Sequence, residues 1–111
     1  NMEITWTDFE KIDMRVGTVV EATIFEKAKK PAYKLRIDFG ALGIKKSSAQ
    51  ITGLYTPEDL IGQQVIAVVN FPPKQIADFM SECLVLGLYH TNTHVVLLQP
   101  QQPVPNGCKV G

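Results

Sequence analysis

The sequence predicts an all-β fold in which short strands close into a barrel. Three observations support this: 111 residues suit one compact core, apolar and polar residues alternate in several short runs, and helix signals are brief. One helix signal stands near the start of the chain and the other between the third and fourth predicted strands. We therefore expect residues 1–111 to form a single domain.

Period-two alternation indicates the first three strands. In the first, residues 14–25, Gly17 predicts a bend or bulge. The side chains expected on its one buried side are Val16, Thr18, Val20, Ala22 and Ile24. The second strand covers residues 33–40 and the third residues 44–52. The outward side chains of these two strands should form one polar surface: Lys34, Arg36, Lys46, Ser48 and Gln50.

Two short helices are predicted from their capping residues. The first lies within residues 5–12, where Thr7 and Glu10 have the spacing of a capping box. Its apolar side would pack on its own barrel or on a second subunit. The other helix begins at Thr56, has Pro57 at its first position and ends at Gly62.

The second half of the chain predicts further strands over residues 63–70, 83–90 and 95–100, and a last short strand after the Asn106-Gly107 turn. Residues 70–82, with Pro72 and Pro73 near their start, form a long connection. Three strands, a helix and two more strands is the order of an oligonucleotide-binding (OB) Greek-key barrel. In that fold, strands two and three and the loops after strands one and four form the binding face.

Charge is concentrated on the predicted binding face. The chain has no net charge, yet residues 27–46 hold seven basic residues against Asp38 alone, and the remainder holds 4 basic and 10 acidic residues. Such a block is either a solvated surface or the footprint of a polyanion. Because it coincides with the OB binding face, we favour the polyanion.

Three segments resemble a known family: "DMRVGTVVEA", residues 47–87 and "VVLLQPQQPVPNGCKVG". They are similar to the bacterial CsaA proteins, described as export-related chaperones, within the wider tRNA-binding domain family also appended to methionyl-tRNA synthetase. Cys83 and Leu84 follow Ser81-Glu82 where synthetase-type domains have Gly-Met, which favours the CsaA branch. The resemblance implies an OB fold, a homodimer, tRNA binding and affinity for unfolded polypeptides.

RNA binding is the first functional hypothesis. Basic side chains would contact phosphates, and polar ones would bind sugars or base edges of a splayed strand. Tyr33, if outward, or Phe71 would stack on a base, although a plug over the barrel mouth is the favoured interpretation of Phe71. The predicted RNA-binding residues are Lys34, Arg36, Lys45, Lys46, Ser48, Gln50, Asn70, Lys74, Ser81 and Glu82.

The alternative hypothesis is a chaperone that binds unfolded or pre-secretory polypeptides through an apolar surface of the dimer. Its candidate residues, which core packing would also explain, are Phe71, Ile76, Phe79 and Met80. The resemblance implies that the N-terminal helix and the C-terminal segment help to form the dimer. The candidate dimer residues are Trp6, Phe9, Val96 and Leu98.

The sequence argues against an enzyme. Cys83 and Cys108 lack the CxxC spacing and any evident base, and we expect both to be free thiols. His90 and His94 flank a predicted turn, so neither a metal nor another cofactor is expected.

We expect a cytoplasmic protein without membrane insertion, since no apolar run approaches the roughly 20 residues of a span. Met2 is expected to be the natural start, with Asn1 added in cloning.

Overall fold

A computed structural model describes residues 2–111, so the expectation for Asn1 lies outside it. A 3-10 helix (Gly40–Leu42) stands between the second and third strands. In chain order the other elements are α1 (Trp6–Glu10), β1 (Met14–Ile24), β2 (Tyr33–Asp38), β3 (Ile44–Ala49), α2 (Pro57–Leu60), β4 (Gln64–Val68), β5 (Lys74–Ile76), β6 (Phe79–Ser81), β7 (Leu84–Val85), β8 (Gly87–Tyr89) and β9 (Val95–Leu97).

Five antiparallel strands form a nearly closed barrel in the order β3-β2-β1-β4-β7, which confirms the predicted OB-type fold. Its core contains Leu35 and Ile37 of β2 and also Phe39, the residue that follows this strand. Helix α2 starts as predicted, with Asp59 N–H donating to Thr56 Oγ1, and inserts the fully buried Leu60 into the core. The helix therefore closes one end of the barrel.

The predicted facing of β1 is wrong around Val20, although Ala22 is buried as predicted. Val20 and Ile24 are 44% and 64% exposed, whereas Val19 is 1% exposed and packs in the core. The pairing of β1 with β2 shifts register between Val19 and Glu21, as expected for a β-bulge. The extra residue changes which side chains face inward, and period-two counting does not detect it.

Gly17 is required by close packing and does not form the predicted bulge. A Cβ atom on this residue would lie 2.6 Å from Ile37 Cγ2 and 2.8 Å from Phe39 Cδ1. Glycine thus lets β1 pass close to the buried side chains of Ile37 in β2 and Phe39 just after it.

Three further predictions need correction. The capping box of α1 joins Thr5 and Asp8, two residues earlier than predicted, because each side chain accepts from the other's backbone N–H. The predicted fifth strand is divided into β7 and β8. The connection 70–82 contains the β5–β6 hairpin, whose turn places Ala77 at a φ of 52°.

The C-terminal segment seals the start of β1. Val16 N–H donates to the Cys108 carbonyl (3.0 Å) and Gly107 N–H donates to the Val16 carbonyl (2.7 Å). The predicted last strand is reduced to a single bridge between Arg15 and Lys109. The Gln64 amide clamps this segment by donating to the Val104 carbonyl and accepting from its N–H.

Gly17→Ala should destabilise the barrel by about 1–3 kcal/mol, because the new methyl group must displace Ile37 and Phe39 in a filled core. Urea unfolding monitored by circular dichroism would measure the change. Gly111→Ala, which meets no atom within 4 Å, is the matched control. Equal midpoints for the two variants would contradict this account of Gly17.

Candidate nucleic-acid interface

The pairing of β2 with β3 gathers the predicted polar surface. Lys34 lies opposite Ser48 and Arg36 opposite Lys46, so the four side chains share the outer face. Tyr33 points inward instead, and its hydroxyl donates to the Tyr55 carbonyl (2.6 Å). Its use as an outward stacking residue is therefore excluded.

The β5–β6 hairpin rests on this outer face through an aromatic contact. The ring of Phe79 lies 5.4 Å from that of Phe25, edge to face. The Lys34 and Lys46 ammonium groups lie 5.9 Å and 5.4 Å from the Phe79 ring centroid. These cation–π contacts hold two positive charges in place beside the ring.

An ion pair joins the hairpin to the loop after β1. Lys27 Nζ donates to Asp78 Oδ2 at 2.9 Å. This hydrogen bond lowers the pKa of Asp78 and raises the pKa of Lys27 from their ordinary values. Both side chains are exposed, so the pair contributes little stability, but it keeps the two loops side by side.

The hairpin groove, of about 570 Å³, lies between these two loops, with Ser48 of β3 and Gln50 at its floor. Lys27, Lys29 and Lys30 line one wall, and no carboxylate lines the groove. Lys27, Lys29, Lys30 and Gln75 are not among the predicted RNA-binding residues, although the position of the three lysines after the first strand was an available signal. The polar lining residues are Lys27, Lys29, Lys30, Ser48, Gln50, Lys74 and Gln75.

A second groove of about 560 Å³, the C-terminal groove, lies between the end of β3 and the β8–β9 turn. It is lined by Tyr89, Asn92 and Thr93, for which no role was predicted from the sequence. Lys30, Ser48 and Gln50 line both grooves. The two grooves therefore meet on the outer face of β3.

Ser81 and Glu82 act within the barrel. Ser81 Oγ accepts from Ser48 N–H (3.1 Å), and Glu82 Oε1 accepts from Lys46 N–H (2.8 Å). Glu82 N–H in turn donates to the Lys46 carbonyl (2.8 Å). We call these contacts between residues 46–48 and 81–83 the closure seam, because they complete the barrel between β3 and β7.

Asn70 and Lys45 also lie apart from the grooves. The Asn70 amide accepts from Asp13 N–H (3.0 Å) and donates to the Lys11 carbonyl (2.7 Å), which ties the N-terminal segment to the end of β4. Lys45 lies opposite Ile37, and therefore on the other side of β3 from Lys46. Neither residue lines the hairpin groove.

The apolar candidates for peptide binding divide into two pairs. Phe71 is 54% exposed and Met80 is also exposed. Ile76 and Phe79 are half-buried, Phe79 through its contact with Phe25. Only the first pair presents open apolar surface.

The dimer candidates are accessible. No residue of α1 is buried, and Trp6 is 68% exposed with its ring 5.4 Å from that of Phe9. Val96 is exposed opposite Leu88 on the β8–β9 hairpin. Leu98 is half-buried, and its N–H donates to the Leu86 carbonyl.

Cys83 lies at the closure seam as a buried free thiol, and burial raises its pKa to about 11. Its carbonyl accepts from Ser47 Oγ (2.9 Å). Cys108 is exposed and also free. Among residues 2–111 no cluster of three or more potential metal ligands occurs, and no helix in that range has the length and apolarity to cross a membrane.

Comparison with known proteins gives one family. A family model described as "Putative tRNA binding domain" matches residues 14–109. Methionine–tRNA ligases of Methanococcoides burtonii and Methanocaldococcus jannaschii are 35% and 39% identical over 94% and 91% of this chain. The chain spans about 15% of the length of either ligase.

Solved structures resemble the whole chain. The chaperone CsaA from Bacillus anthracis is 55% identical, with a TM-score of 0.95 and coverage of 99% of this chain and 100% of that one. The CsaA chaperone from Picrophilus torridus is also 55% identical, with a TM-score of 0.91 and coverage of 98% and 100%. A methionyl-tRNA-synthetase-related protein from Pyrococcus horikoshii is 32% identical, with a TM-score of 0.85 and coverage of 99% and 100%.

Ser81→Ala should destabilise the protein by about 1–3 kcal/mol, because it leaves a partly buried Ser48 N–H without an acceptor. Ser48→Ala is the matched control on the same face. The Ser48 hydroxyl makes no hydrogen bond within the described chain, so its loss should change stability by at most about 0.5 kcal/mol. Urea unfolding of both variants measures the difference, and a larger loss for Ser48→Ala would refute the assignment of Ser81 to the closure seam.

Proposed function

Because this chain belongs to the tRNA-binding domain family, in the branch of the CsaA proteins, we propose that it binds tRNA through the hairpin groove and the outer face of β2 and β3. One observation carries the proposal. Four lysines and no carboxylate line the groove of a chain whose overall charge is zero. Charge of one sign concentrated in a concave surface attracts a polyanion.

The side chains around the groove suit a nucleic-acid backbone. Lys34 and Lys46, held beside Phe79, extend the positive surface along the outer face. Each phosphate contact would release counterions and so strengthen binding at low salt. Ser48 and Gln50 lie at the groove floor, where a hydroxyl and an amide can bind sugar or base edges.

The chain acts in this proposal as a binding domain without a reaction of its own. Its ligase relatives are enzymes, but the shared segment is the tRNA-binding domain, about 15% of their length. We place the protein in the cytoplasm, where a reducing environment suits the two free cysteines.

We further propose that two copies associate through α1. Trp6, Ile4 and Ile12 present apolar surface at the N-terminal end, and none of them is covered by the chain's own barrel. An exposed Trp beside further apolar residues is typical of a protein interface. The exposed pair Leu88 and Val96 is a second candidate contact.

Binding of unfolded or pre-secretory polypeptides is the second candidate function. Two structures that are 55% identical to this chain are described as CsaA chaperones. Phe71 and Met80 expose adaptable apolar side chains at the hairpin and its approach. In this second proposal, apolar side chains of both copies in the dimer together form the peptide-binding surface.

The double variant Lys30→Gln with Lys74→Gln should bind tRNA more weakly and with less salt dependence. The slope of log affinity against log salt should decrease in magnitude by about 1.4–1.8, since each phosphate contact contributes about 0.7–0.9. Fluorescence anisotropy with labelled tRNA at several salt concentrations measures it.

The matched control is Lys11→Gln with Lys109→Gln, which removes the same charge from residues that line neither groove. It should leave the slope nearly unchanged. Equal slopes for the two double variants would refute the hairpin groove as the phosphate site, and no tRNA binding by the unsubstituted protein at low salt would refute the proposed function.

Trp6→Glu should convert the dimer to single chains and weaken binding of a reduced, alkylated polypeptide, because a charge would enter the apolar interface. Sedimentation equilibrium at micromolar concentration gives the mass, and anisotropy gives the polypeptide affinity. Leu42→Glu, at a similarly apolar exposed position on the 3-10 helix, is the control and should remain dimeric. If the unsubstituted protein has the mass of a single chain, the proposed dimer is ruled out. If single chains of Trp6→Glu still bind the polypeptide, the dimer is not needed to form the peptide-binding surface.

A further inference from the structure

Tyr89 is the most exposed aromatic side chain among the described residues. It is 90% exposed, although it belongs to strand β8 and lines the C-terminal groove. Its backbone is held by pairing with Val95 and by the turn beyond it, where His90 N–H donates to the His94 carbonyl (3.0 Å). An exposed ring on a backbone held in this way is suited to stacking.

The polar groups near Tyr89 are available to a ligand. Ser48 Oγ and the amides of Gln50 and Asn92 line the C-terminal groove and make no hydrogen bond to any residue in the 2–111 range. By contrast, the amide of Asn70 and the hydroxyl of Ser81 are occupied by backbone groups. The groove thus combines an exposed ring with unengaged donors and acceptors.

Lys30 supplies the charge in the same groove. Together with Ser48 and Gln50 it also lines the hairpin groove, so a positive surface leads continuously from one groove to the other. A ligand that follows this path meets phosphate-binding lysines first, then hydrogen-bonding side chains, and then the ring of Tyr89.

We propose that Tyr89 is the stacking platform for an unpaired base of RNA that lies across the two grooves. The ring would stack on the face of the base, and Lys30 would contact an adjacent phosphate. The amide of Gln50 or Asn92 would form hydrogen bonds with the edge of the base. Within a duplex, neighbouring base pairs already cover the faces of each base, so the site selects unpaired nucleotides. The inference rests on the proposed RNA binding and specifies the part of the RNA that this site recognises.

The test uses an unstructured oligoribonucleotide of about 12 nucleotides, within the range bound by one OB fold, carrying a 2-aminopurine. A fully paired duplex of the same sequence is the second probe. Tyr89→Ala should bind the single strand about 5- to 150-fold more weakly, as loss of one stacked base predicts. Tyr89→Phe, which keeps the ring, should bind within about twofold of the unsubstituted protein, since stacking depends on the ring face.

Two readouts separate stacking from a merely structural effect. At saturation the 2-aminopurine fluorescence should be quenched by the unsubstituted protein and by Tyr89→Phe, and much less by Tyr89→Ala. Tyr89→Ala should also keep the salt slope, because stacking releases no counterions, whereas Lys30→Gln should reduce the slope magnitude by about 0.7. His90→Ala, a neighbouring exposed side chain that lines neither groove, is the control and should match the unsubstituted protein.

Several outcomes would overturn the stacking site. One is that Tyr89→Ala binds the single strand as tightly as the unsubstituted protein does. Another is that Tyr89→Ala loses as much affinity for the duplex as for the single strand. A third is that Tyr89→Ala loses affinity only for the unfolded polypeptide. A change in oligomeric mass caused by Tyr89→Ala would also overturn it, since the ring would then contact a second copy. If the unsubstituted protein bound neither tRNA nor the single strand at low salt, the proposed function would fail first.

Discussion

The closure seam is the constraint on which the rest of the structure depends. A barrel of five strands must satisfy the backbone groups of β3 at its outer edge, and β7 is too short to do so by strand pairing alone. Ser81 and Glu82 solve this with side-chain acceptors for the N–H groups of Ser48 and Lys46. A buried or half-buried edge without these acceptors would lose about 1–3 kcal/mol per unpaired group.

The seam also determines where the two grooves lie. Because residues 81–83 are fixed against β3, the β5–β6 hairpin that precedes them is carried over the outer face of β2 and β3. Phe79 then packs on Phe25, and the ion pair between Lys27 and Asp78 joins the hairpin to the basic loop. Barrel closure and groove formation therefore arise from the same contacts.

The polar residues of this region have two separate tasks. Asn70, Ser81 and Glu82 direct their acceptor atoms at backbone N–H groups and hold segments together. Ser48 and Gln50 project from neighbouring positions into open grooves. Residue type alone does not separate these tasks, since serine and side-chain amides occur in both groups, and only the direction of each side chain does.

The sequence by itself determined the barrel, the helix α2 and the basic surface of β2 and β3, because alternation, capping residues and charge are local patterns. It did not determine the bulge at Val20, which changes which side chains face inward, or the hairpin within residues 70–82. It also did not determine that Ser81, Glu82 and Asn70 bind backbone N–H groups, or that Lys30 and Tyr89 line the grooves. Those outcomes depend on which backbone atoms lie within hydrogen-bonding distance across the closed barrel, and that proximity exists only in the tertiary structure.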